Sequence, residues 1–172
     1  RYNSFRVGAI EYSQKDGYQV FLHDDQVKKK NVYEYVQESM NGRFLIKTED
    51  MYNTNFEADY ANVHFFIPYK TPLIQGEIYI MGGLTYWQYL PGATLSYNYD
   101  RGGFEGSLLL KQGYYNYHYL MLPNDSKIGE YEMMEGNFFD MNNEYNFFIY
   151  YKPQGGRYDR LVNVTKVLSF PN

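Results

Sequence analysis

The sequence predicts an all-β sandwich with an N-terminal β-hairpin extension. Three observations point there. The chain of 172 residues holds 22 tyrosines and 12 phenylalanines, side chains that suit pleated, half-buried surfaces. Its 15 glycines and six prolines fall between short patterned runs. From Tyr60 to Tyr151 those runs number about six or seven, at the roughly 8–12-residue spacing of sandwich strands.

Taken in order, Phe5–Tyr12 and Tyr18–Leu22 read as two strands joined through Gln14-Lys15-Asp16-Gly17, since Asp-Gly between patterned runs marks a hairpin. Asp24–Lys30 reads as a solvated loop, its acids preceding its lysines. Val32–Ile46 reads as a second hairpin around Met40-Asn41-Gly42-Arg43, because Asn-Gly accepts the positive φ of a type I′ turn. Lys47–Asn55 is polar and marks a domain boundary. Ala58–Ile67 places Val63, Phe65 and Ile67 on one face and Asn62, His64 and Phe66 on the other, ending at Pro68. Glu77–Met81 directs Ile78 and Ile80 inward, and Gly82-Gly83 then turns the chain sharply.

A polar, turn-rich passage leads to the strand Phe104–Leu110. Lys111-Gln112-Gly113 turns into Tyr114–Leu122, where Tyr115, Tyr117, Tyr119 and Met121 share a face opposite Asn116 and His118. Pro123–Asn143 is mainly loop, with a weak helical signal at Tyr131–Glu135. Asn146–Tyr151 is an aromatic strand, and Gly155-Gly156 turns the chain into a last strand within Arg157–Phe170. The division expected is residues 1–56, the N-terminal hairpins and linker, and residues 57–172, the sandwich.

Composition excludes several classes. With no cysteine, thiol nucleophiles, cysteine–zinc sites and disulfides are absent. A net charge of −4 with interspersed signs lacks the basic footprint of a nucleic-acid binder. No apolar run approaches the roughly 20 residues of a membrane helix. The chain begins at Arg1 with no signal peptide, as expected of a processed protein or a piece of a longer one.

No catalytic constellation emerges, and no metal or cofactor is expected. His23, His64 and His118 lack metal-ligand spacing. Acidic neighbours such as Asp24/Asp25 and Glu130/Glu132 lie in or beside loops, with nothing to set the separation that a glycosidase pair needs. There is no GxSxG elbow and no phosphate loop. Two groups remain as binding candidates. Trp87, the sole tryptophan, could form a sugar-stacking platform with Tyr86, Tyr89 and His118, or could cap the sandwich core. Its solvent exposure separates the two readings. Arg157, Tyr158, Asp159 and Arg160 could anchor a partner, since Tyr and Arg are enriched at interface hot spots. Alternatively they form a structural hairpin with Arg–Asp pairing at the surface.

The run EIYIMGGLTYW, a polar crossover, FEGSLLLKQG and YYNYHYLML resembles the glycogen-binding modules of AMP-activated kinase β subunits and of starch-branching enzymes. That resemblance implies an Ig-like (early-set) sandwich in which Trp87 stacks on sugar and His118 stands where the family has a lysine. The family's second platform tryptophan has no counterpart in Pro123–Gly129, which favours Trp87 as a core or rim residue.

Over nearly the whole chain, the ordered motifs FRVGAIEY, YQVFL, NGRFLI, EADYANVHFFIP, GEIYIMGGLTYW, LLLKQGYYNYHY and YYKPQGGRYDRLV resemble the C-terminal half of the type IX secretion system plug protein family. This resemblance implies a periplasmic, non-enzymatic protein that docks on an outer-membrane translocon and seals its periplasmic opening. The partners it implies are that translocon protein and, on the glycogen-module resemblance, a polysaccharide. No nucleic acid and no membrane insertion are expected, on the charge and the apolar runs noted above.

Overall fold

A computed structural model describes residues 6–27, 43–47, 58–135 and 143–169. The turn Met40-Asn41-Gly42, the strand before it and nearly all of the polar linker lie outside these. The chain divides into two compact units, Arg1–Asn137 and Phe138–Asn172.

The first unit holds β1 (Val7–Ser13), β2 (Gly17–Leu22), β3 (Phe44–Ile46), β4 (Tyr60–Pro68), β5 (Gly76–Gly82), β6 (Thr94–Asn98), β7 (Gly103–Lys111), β8 (Gly113–Tyr115) and β9 (Tyr117–Pro123). Seven of these form one sheet in the order β1-β2-β4-β7-β6-β5-β9. β6 is the corner. Its first residues pair with β5, Leu95 opposite Ile78, and its last with β7, Tyr97 opposite Phe104. A strand that changes partners midway folds a sheet over on itself. The two halves meet: Phe65 of β4 and Tyr117 of β9 make an edge-to-face ring contact at 5.0 Å. The result is a β-sandwich. β4, β5, β6, β7 and β9 follow one another as strands B, C, D, E and F of an Ig-like fold, with β4-β7-β6 in one layer and β5-β9 in the other.

The core gathers Phe65 and Ile67 from β4, Ile78 and Ile80 from β5, Leu95, Phe104, Tyr119 and Met134. Ile78 and Ile80 point inward as their alternation requires. Phe66, expected on the outer face, is also buried, because the Arg101 guanidinium lies 3.6 Å above its ring. On β9, Leu120 is buried beside the alternating Tyr119 and Met121. The following chain returns along the strand edge, where Met121 and Glu130 exchange backbone hydrogen bonds. Gly129 presses so close that a Cβ there would sit 2.0 Å from Leu120 Cδ2. Tyr131–Glu135 forms one hydrogen-bonded turn rather than a helix, with the Met134 and Glu135 amides donating to the Tyr131 carbonyl.

The sequence-based boundary at residues 56 and 57 falls inside the first unit. β2 runs parallel to β4, Val20 beside Val63, so the N-terminal hairpin adds strands to the sandwich sheet. A polar cluster strengthens the join. The Asp25 carboxylate accepts hydrogen bonds from Arg6, from Tyr117 at 2.9 Å and from Tyr119 at 2.6 Å. Arg6 also donates to the Tyr117 oxygen at 2.8 Å. Asp25, expected in a solvated loop, is therefore largely buried. Burial first, and then the Asp25 charge, hold the phenols of Tyr117 and Tyr119 above their usual range.

The second unit is a ribbon of β10 (Asn143–Tyr151) and β11 (Arg160–Ser169), antiparallel with Phe147 opposite Thr165 and Phe148 opposite Val164. The last expected strand thus begins at Arg160, three residues after Arg157. Among the described residues no helix is long and apolar enough to cross a membrane.

Candidate functional site

The site is built where β5 ends. Gly82 adopts φ 156°, and a Cβ there would lie 2.4 Å from the Asn116 carbonyl oxygen. Only glycine fits that approach. A single 3-10 turn, Gly83–Thr85, follows. Thr85 is fully buried. Its hydroxyl donates to the Gly82 carbonyl at 3.1 Å and accepts from the Gly82 amide at 3.3 Å. The amides of Tyr86 and Trp87 donate to the Gly83 and Gly82 carbonyls.

This bracing holds Tyr86 and Trp87 at φ 51° and 59°, two successive left-handed residues that are not glycine. Such backbone costs about 1–2 kcal/mol per residue and persists where the surroundings over-determine it. The effect is to turn two large aromatic side chains outward. Tyr86 is 72% exposed and Trp87 is 53% exposed. Trp87 therefore stands at the rim and does not cap the core.

Other aromatics converge on the pair. The His118 ring of β9 lies 5.5 Å from that of Trp87 and 4.9 Å from that of Tyr131. Phe44 meets Tyr86 edge-on at 6.4 Å and stacks on Tyr115 at 5.6 Å. Arg43, Phe44, Gly83, Tyr86 and Trp87 together line an open concavity of about 430 Å³. Burial raises the pKa of the Tyr115 and Tyr131 phenols.

The four residues expected to form a platform are thus partly united. Trp87, Tyr86 and His118 cluster. Tyr89 instead packs edge-on against Tyr79 at 5.4 Å and accepts the Gly129 amide through its hydroxyl. Sequence reasoning missed Arg43 and Phe44. They reach the site because β3 pairs with β8, Phe44 opposite Tyr115, a contact that no local pattern announces.

In the second unit, Arg157, Tyr158 and Asp159 lie between β10 and β11, and Arg160 opens β11. All four are exposed. Among the described residues no ion pair joins either arginine to Asp159. His64 binds Gln19 at 2.8 Å and stacks on Phe21. No group of three His, Asp or Glu side chains is gathered as metal ligands would be among the described residues.

The chain is similar to a hypothetical protein from Parabacteroides merdae whose crystal structure was determined at 2.30 Å. The TM-score is 0.90 and the identity 37%, over 98% of this chain and 42% of that one. This chain thus spans less than half the length of that relative. No protein-family model and no curated protein matches the chain.

Proposed function

We propose that this chain is a non-enzymatic interaction module, the C-terminal part of a longer periplasmic protein that docks on the outer-membrane translocon of the type IX secretion system and seals its periplasmic opening. The order of motifs along nearly the whole sequence supports this reading, and the greater length of the Parabacteroides relative is compatible with it.

The observation that carries an interaction role is the β10–β11 ribbon. Tyr145, Phe147, Ile149 and Tyr151 alternate to one face, while Phe148 and Tyr150 share the other with their partners Val164 and Leu161. A two-stranded ribbon has no interior of its own, so its apolar side chains need cover from outside the ribbon. The exposed Arg157–Arg160 tip offers a tyrosine between arginines, side chains enriched at interface hot spots. The test is a pull-down with the tagged protein from periplasmic and outer-membrane extract. An outer-membrane protein is expected with the wild type and reduced with Tyr158→Ala combined with Arg160→Ala. Recovery of no outer-membrane partner would count against the reading.

A second reading is favoured by one observation: Trp87 is half exposed beside Tyr86 at an open concavity. Aromatic rings so placed stack on sugar rings, and the surrounding sandwich is Ig-like. On this reading the Trp87 face is a carbohydrate-binding surface. Wild-type retardation in a glucan affinity gel, lost in Trp87→Ala, is the expected result, and no retardation on any α- or β-glucan would contradict it.

A further inference from the structure

We infer that the Trp87 concavity takes an acidic sugar, a uronate or a sulfated or phosphorylated residue at a chain end or along a glycan. This rests on the second reading above and narrows it by charge.

Three features converge. The described lining residues are Arg43, Phe44, Gly83, Tyr86 and Trp87, so the one charged side chain among them is a cation and none is acidic. Among the described residues Arg43 has no carboxylate partner, whereas Arg6 and Arg101 are each tied to acids of this chain. A guanidinium beside flat rings can grip a carboxylate or sulfate in two parallel hydrogen bonds, while the rings take the sugar's apolar face. The third feature is the left-handed backbone at both Tyr86 and Trp87. It is braced by the buried Thr85 hydroxyl and fixes the rings before any ligand arrives. Rings carried on a braced backbone, with one cation in the same concavity, suit a rigid, flat, singly charged ring. They suit a flexible acidic peptide less well, since it would lose more conformational freedom on docking.

Trp87 is the only tryptophan, so its emission reports occupancy of this site directly. The experiment titrates the whole chain with tetragalacturonate, with chondroitin sulfate tetrasaccharide, with the methyl ester of tetragalacturonate, with maltoheptaose and with a tetraglutamate peptide. At least one acidic sugar should give a saturable change in Trp87 emission. The methyl ester should bind roughly tenfold or more weakly, as should the acid to Arg43→Gln, the size of a lost charge-assisted hydrogen bond. Equal binding of acid and ester, unchanged by Arg43→Gln, overturns the charge assignment and leaves the sugar platform standing. Binding of maltoheptaose alone does the same. Tetraglutamate matching the acidic sugars overturns the proposal in favour of an acidic polypeptide. No change with any sugar overturns the acidic-sugar proposal, and the glucan gel then decides the platform reading separately. Trp87→Tyr, read by gel retardation, separates loss of stacking area from loss of charge.

Discussion

β9 and β10 both mix tyrosines with other large apolar side chains, yet they occupy opposite situations. β9, YHYLMLP, lies against β5 within a folded-over sheet and buries Tyr119, Leu120 and Met121. Among the described residues β10, NEYNFFIYY, pairs with β11 alone in a two-stranded sheet, and its aromatic residues alternate to two faces. Aromatic content makes both strands. What separates them is a second layer: β9 has one in the same unit, and a ribbon by itself does not. Burial within the sandwich serves stability, and on a ribbon such side chains are what the proposed recognition would use.

That contrast can be broken at its strong end first. Ile67→Ala in the core cluster is expected to cost about 3–4 kcal/mol, through lost burial and the cavity left behind, and thermal unfolding would read it. A loss under about 1 kcal/mol would mean that the two layers are not packed as described. Next comes the polar join. Asp25→Ala removes the carboxylate that Arg6, Tyr117 and Tyr119 share and should cost about 3 kcal/mol, the low end for breaking a buried pair, because a third of Arg6 stays in water and it keeps its hydrogen bond to Tyr117.

The same cluster predicts a pH effect of definite sign. The raised phenols of Tyr117 and Tyr119 keep their protons in the folded state. Above about pH 10 the unfolded chain's tyrosines ionise, so the unfolded state then binds fewer protons and stability falls as pH rises. Below about pH 10 the contribution is fully present. Melting at pH 9 and pH 11 should show the drop, and Tyr119→Phe should flatten it while costing about 1 kcal/mol at neutral pH. The smallest expected effect lies at the rim. Tyr86→Gly removes a Cβ from a left-handed position and is expected to leave stability unchanged or raise it by up to about 1 kcal/mol, while weakening any ligand at the concavity. A clear loss of stability would mean that the Tyr86 ring supports the fold more than it serves a site.

Much of this was legible beforehand, for identifiable reasons. β4, β5, β7 and β9 carry clean alternation or long apolar runs bounded by glycine and proline, and those signals are local. β6 was hidden because Thr94, Ser96 and Asn98 alternate with Leu95 and Tyr97 in a passage rich in turn residues. Its place at the corner of the sheet is a tertiary fact. Asp25 looked solvated since its three partners lie 19, 92 and 94 residues away. The Trp87 cluster was legible in part. Gly82-Gly83 announced the turn, but not the left-handed pair that swings the rings outward. Arg43 and Phe44 arrive through β3–β8 pairing, which sequence separation conceals.

The interaction role of the ribbon is open to a direct measurement in cells. A photo-reactive phenylalanine analogue is placed at Phe147 or Tyr158 of the full protein, or at Leu109, an exposed sandwich position serving as control. The cells are irradiated and the adducts identified. An adduct with an outer-membrane translocon protein is expected from positions 147 or 158 and none from 109. Adducts from 109 alone, or no outer-membrane protein from any position, would contradict it.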